Sequence, residues 1–148
     1  MNDDIMTDDV EMLNTITETA DMGRDSLNHV IEKASDPGLK SALQKQVHQY
    51  DKTYETARHM LSAEGESPRQ IGAPAKMYSH IVSNVKTMSA ESANSQIAEM
   101  VIQGSTMGVT EMTKQLHQYH GGNQALRSLA QNHIQTQREN IEEMKKYL

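Results

Sequence analysis

Apolar residues recur along most of this chain at steps of three and four, the spacing that lines one face of an α-helix. The clearest stripe is Leu39, Leu43, Val47, Tyr50, Tyr54, Ala57 and Leu61. A stripe before it runs Val10, Leu13, Thr17, Ala20, Gly23, Leu27, Ile31 and Ala34. Two more follow, Ile97, Val101, Ser105, Gly108, Met112, Leu116 and Tyr119, then Leu126, Ala130, Ile134, Gln137, Ile141, Met144 and Leu148. Four long helices are predicted.

Helix punctuation falls between the stripes. Thr7 suits the cap of the first helix, with Asp8, Asp9 and Glu11 in the opening turn, where the backbone dipole favours negative charge. Ser35-Asp36-Pro37-Gly38 stops that helix, and Asp36 with Pro37 starts the second, which ends at Gly65. Ser89 caps the third, Gly121-Gly122 ends it, and Asn123 caps the fourth. Glu66 to Ala73 reads as loop, and Pro74 to Thr87, with Met77, Ile81, Val85 and Met88, reads as a short crossover helix of about 20 Å. One domain over 1–148 is expected, made of a hairpin 7–64, a crossover 65–88 and a hairpin 89–148.

The second hairpin weakly repeats the first. Leu39-Lys40-Ser41 matches Leu126-Arg127-Ser128, and the match runs on through Gln44/Gln131, Val47/Ile134, Tyr54/Ile141 and Glu55/Glu142 to Leu61/Leu148. Asp21-Met22-Gly23 likewise matches Thr106-Met107-Gly108. Agreement between these identities and the breaker positions indicates a duplicated helix pair.

Composition narrows the class. The 148 residues include eleven Met and no Phe, Trp or Cys, so the core is built of Met, Leu, Ile, Val and Tyr, and neither disulfides nor thiolate metal sites exist. A net charge of −6 without a basic cluster argues against nucleic acid or an anionic membrane as partner. No run is apolar enough to span a bilayer, and the acidic Met1-Asn2-Asp3-Asp4 does not look like a secretory leader, so a cytoplasmic location is expected.

Length, duplicated hairpin, crossover and the phrase Ser35-Asp36-Pro37-Gly38-Leu39-Lys40 leading into a Gln-rich helix together resemble the ferritin-like superfamily. The likeness is to its small bacterial domains of unknown function, some linked to stress and some to spore coats. It implies an all-α, ferritin-like four-helix bundle with one long connection. It also implies a di-iron or di-manganese centre held by a Glu from each of two helices and a Glu-x-x-His pair from each of the others.

That centre lacks its ligands here. No Glu-x-x-His occurs, and the mid-bundle positions are Thr17, Ala20, Ile102 and Ser105, with Tyr50-x-x-Thr53 and Gln137-x-x-Asn140. Rotating the helices by one residue offers Glu18, Asp51 and Tyr54 but brings in Arg138. The inward polar set, Thr17, Tyr50, Tyr54, Ser105 and Gln137, with His133 as a candidate member, is expected to form a buried hydrogen-bonding layer that sets helix register. Gly23 and Gly108 recur in both halves and predict that the first and third helices approach closely there, a packing role rather than a ligand site.

Other polar groups read as surface. His48 and Asp51, or Glu55 and His59, are spaced to share a cation but flank the core stripe, while His117 and His120 sit where imidazole favours a helix C-terminus. Asp21 and Asp25 face Asp51 or Glu55, with Arg24 and Lys52 to offset them.

The function expected is that of a non-enzymatic ferritin-like bundle with a degenerate di-metal site, without cofactor, serving as a structural or interaction protein. By resemblance it would be stress- or spore-associated, with a homo-oligomer or protein partner. The alternative is an iron- or manganese-binding oxidoreductase, a ferroxidase or peroxide scavenger, using Glu18, His48, Asp51, Glu55 and His133 in a displaced site.

Overall fold

In the computed structural model, residues 2–69 and 89–148 are described, and the expected crossover helix at 74–87 lies outside them. Four long helices and no strand are found among the described residues. We label them α1 (Asn2–Val30), α2 (Pro37–Ala63), α3 (Ala90–Gln118) and α4 (Gln124–Met144). One-turn 3-10 segments follow α1 at Ile31–Lys33 and α4 at Lys145–Tyr147.

Asp36 and Asn123 do the same work at the second helix of each hairpin. Asp36 Oδ1 accepts from the Leu39 amide at 3.0 Å, and Asn123 Oδ1 accepts from the Leu126 amide at 3.1 Å. Gly65, at φ 77°, takes the left-handed conformation that closes α2. Ser89 precedes α3, but its hydroxyl meets Ser92 Oγ at 2.9 Å rather than a free amide of the first turn. The first helix begins at Asn2, so Thr7 lies inside it and is not its cap. No Gly or Pro interrupts residues 2–7, and Asp3 and Asp4 are well placed in an earlier first turn.

α1 packs chiefly on α2 and α3 chiefly on α4, and the two hairpins then join through α1 against α3 and α2 against α4. The ends fix the directions. Tyr119, just past α3, bonds to Asp9 near the start of α1, while Asn94, near the start of α3, accepts from the Ser35 amide in the α1–α2 turn. α1 and α3 are therefore antiparallel, and α2 and α3 run parallel.

Two apolar clusters hold the helices. Around the α1–α2 turn gather Leu27, Val30, Leu39, Leu43, Ile97 and Met144; at the other end gather Met12, Leu13, Ile16, Leu61, Met112 and Leu126. The buried faces are wider than the expected stripes, because Met12, Ile16, Ala93, Ala98 and Met100 are also enclosed. Val47, Tyr54 and Ile141 are only partly covered, and Leu148 is 63% exposed and leaves the fourth stripe.

Candidate functional site: a polar layer beside a cavity

Between the two clusters lies a band of enclosed polar side chains. Thr17 comes from α1, Gln46 and Tyr50 from α2, Ser105 from α3, and His133, Gln137 and Asn140 from α4. Gln46 and His133, one in each hairpin, are the most deeply covered, at 0% and 1% exposure. They are also related by the internal repeat, 87 positions apart, as are Tyr50 and Gln137. Tyr54 stands outside the layer. It is partly covered, with the Arg24 guanidinium 4.7 Å above its ring.

Hydrogen bonds reach only part of this band. Thr17 Oγ1 donates to the Asn14 carbonyl at 3.0 Å, and Gln137 Nε2 donates to the His133 carbonyl at 3.3 Å. Thr19 Oγ1 lies 2.9 Å from the Thr15 carbonyl and 2.8 Å from His133 Nε2. A hydroxyl has one proton, and if it goes to the carbonyl, Thr19 must accept from a protonated Nε2, which leaves Nδ1 as a bare lone pair. Nδ1 has no partner among the described residues, and neither do the two Gln46 amide atoms or Asn140 Nδ2. The imidazole stands edge-on to the Tyr50 ring, centroids 6.1 Å apart.

Burial governs the ionisation here. It drives His133 from its ordinary 6.5 to about 4, so the ring is uncharged at neutral pH. It also raises the Tyr50 phenol, against the smaller opposing effect of Ser105 and Asn140 beside the hydroxyl. No carboxylate belongs to the layer. The buried acid among the described residues is Asp9, at the far end of α1, where it accepts from the Tyr119 hydroxyl at 2.5 Å. Burial, with Asp9 beside it, pushes that phenol up to about 12.

A cavity of about 180 Å³ adjoins the layer between α1 and α3. Gln46, Tyr50 and Gln137 reach it from α2 and α4. Gly23 on α1 and Gly104 and Gly108 on α3 line it, so at these glycines the first and third helices are separated by a cavity instead of packing directly as expected. A Cβ at Gly23 would lie 2.8 Å from the Tyr50 ring, and one at Gly108 would fall on the Gln137 amide. The two glycines that match in the repeat thus face the two layer residues that match in it.

The acids and imidazoles of the displaced-site alternative are spread out. Glu18 accepts from Arg69 Nε at 2.8 Å, Asp51 from Arg24 at 2.8 Å, and Glu55 from Arg58 at 2.7 Å. His48 is exposed, and His133 is committed to Thr19. Arg24 also pairs with Asp21, so the acids facing each other across the first hairpin are bridged by a cation. Among the described residues no three His, Asp or Glu side chains converge on a point. No described helix is long and apolar enough to cross a membrane.

Residues 8–118 match the family described as "Domain of unknown function (DUF2383)". The chain belongs to the DUF2383 family. The matched span takes in most of α1 together with α2 and α3 and stops before α4, so His133, Gln137 and Asn140 lie beyond it. No curated protein matches this DUF2383 chain. Among solved structures it is similar to a DUF305 fragment from Deinococcus radiodurans, at 16% identity and a TM-score of 0.80, covering 94% of this chain and 93% of that one. It is also similar to a conserved hypothetical protein from Mycobacterium tuberculosis, at 15% identity and a TM-score of 0.73, covering 96% and 98%. At such identities the likeness is one of fold.

Chemically, the polar layer of this DUF2383 domain offers neutral donors and acceptors and one neutral imidazole. No carboxylate or other charged side chain is among its described members. What it does offer is hydrogen bonding beside a cavity.

Proposed function

We propose that this DUF2383 domain is a non-enzymatic bundle of the ferritin-like type, acting as a structural or interaction protein, with neutral side chains in the layer where ferritin-like proteins hold two metal ions. The parallel run of α2 and α3 supports the ferritin-like connection. The observation that carries the non-metal part is the donor set. Two divalent cations need bridging carboxylates to neutralise them, whereas Thr17, Gln46, Tyr50, Ser105, Gln137 and Asn140 bring only hydroxyls and amides. His133, the one imidazole among them, spends Nε2 on Thr19. These residues do not fit a di-metal centre.

A cytoplasmic or spore-associated role, and a second copy or another protein as partner, belong to the same proposal and rest on the resemblance. The test is direct. Purified protein is incubated with excess Fe²⁺ or Mn²⁺ and desalted, and bound metal and oxygen consumption are measured. We expect well under one ion per chain and no oxygen uptake above that of free Fe²⁺. Two tightly held ions per chain would favour the iron or manganese oxidoreductase instead.

A further inference from the structure

We propose that the cavity between α1 and α3 binds a small uncharged guest that carries a carboxamide-like edge. Gln46 lines the cavity, is fully buried, and finds no hydrogen-bonding partner for Oε1 or Nε2 among the described residues. A primary amide presents one acceptor and two donors side by side. The group that satisfies both at once is another cis-disposed N–H and C=O, as in a carboxamide, lactam or imide, bonded reciprocally. Such a pair is what this side chain lacks within the protein.

Size and lining fix the rest of the guest. A cavity of about 180 Å³ exceeds the roughly 150 Å³ that holds benzene in an apolar core, which leaves room for one ring and one small polar group. Leu27, Val101 and the thioethers of Met22, Met100 and Met107 form the apolar walls, and Met adapts readily to an aromatic ring. Charge is set at the edge. Glu111 lines the site, Glu18 beside it is already paired with Arg69, and no Lys or Arg is among the described lining residues, so a carboxylate of the same shape as the amide meets a negative group and no cation. Side chains at Gly23 or Gly108 would run into Tyr50 and Gln137, so the placing of these two lining residues depends on the glycines. This inference stands apart from the metal-free proposal, because a positive metal result would leave the binding test unaffected.

Benzamide, benzoate and toluene separate the requirements for amide edge, charge and ring. Each is titrated into isotopically labelled full-length protein, with amide and methionine methyl resonances followed by NMR. We expect saturable shifts with benzamide at the Gln46 side-chain amide and at Met22, Met100 and Met107, and at least tenfold weaker binding of benzoate and toluene. Gln46→Leu should weaken benzamide at least tenfold and leave toluene unchanged; Gln46→Met, nearer in volume, repeats the test if leucine disturbs packing. The proposal fails if benzamide gives no saturable shift at these groups, if benzoate binds as tightly, or if both Gln46 variants bind benzamide as well as the parent does.

Discussion

At the scale of single residues, His133 makes the strongest physical statement. It is enclosed and uncharged, with its value lowered to about 4 by burial. A depressed folded-state value means that the unfolded chain takes up the proton first, so its contribution is whole above about pH 6.5 and is lost as pH falls toward 4. The full difference is worth about 3 kcal/mol. Urea unfolding at pH 7.0 and 4.5 should therefore show the parent losing about 2–3 kcal/mol more than His133→Gln does over that interval. The comparison between the two proteins cancels the carboxylates that titrate in the same range. Equal losses would mean that water reaches the ring. This position was only partly legible in the sequence, since His133 sits between Ala130 and Gln137 on the inner stripe, but neither burial nor the bond to Thr19 has a sequence signal. Gln46 escaped for a related reason. It follows Leu43 by three and precedes Tyr50 by four, yet a glutamine in a Gln-rich helix looks solvated until its repeat partner is seen to be His133.

Individual helices were far more legible, because stripes and breakers act locally. Asp36, Pro37, Asn123 and Gly65 stand at helix ends for reasons within four residues of themselves. The start of α1 was missed because Thr7 is a good cap by type and the acids before it serve equally well one turn earlier. The repeated glycines give the prediction proper to this scale. Gly23→Ala gains about 1 kcal/mol of helix propensity but drives a methyl group against the Tyr50 ring at 2.8 Å, a buried and rigid aromatic that must move as a whole. Overpacking of that kind costs about 1–3 kcal/mol, so the variant should be net destabilised. At Gly108 the obstacle is the tip of a flexible amide beside the cavity. Gln137 can swing into that space, and Gly108→Ala should stay within about 1 kcal/mol of the parent. Thermal melts of the two variants decide it, and a Gly108→Ala loss larger than that of Gly23→Ala would show that Gln137 is locked.

Across the whole molecule, the duplication places one polar layer between two apolar clusters, and that layer has a cost that the clusters must cover. A buried amide without a partner forfeits about 1–3 kcal/mol, and Gln46 holds both of its polar atoms in that condition among the described residues. Replacing it by an apolar side chain of similar length removes the penalty and adds contacts with the walls beside Tyr50 and Met100. Gln46→Leu should therefore raise stability, by about 1 kcal/mol or more, seen as an increase of about 2–4 °C in Tm for a chain of this size. Solvent does not reproduce this outcome, because an amide already satisfied by ordered water would lose bonds on substitution and the Tm would fall. A stabilised variant that no longer distinguishes benzamide from toluene would mean that the bundle gives up stability at Gln46 for the sake of what the cavity recognises.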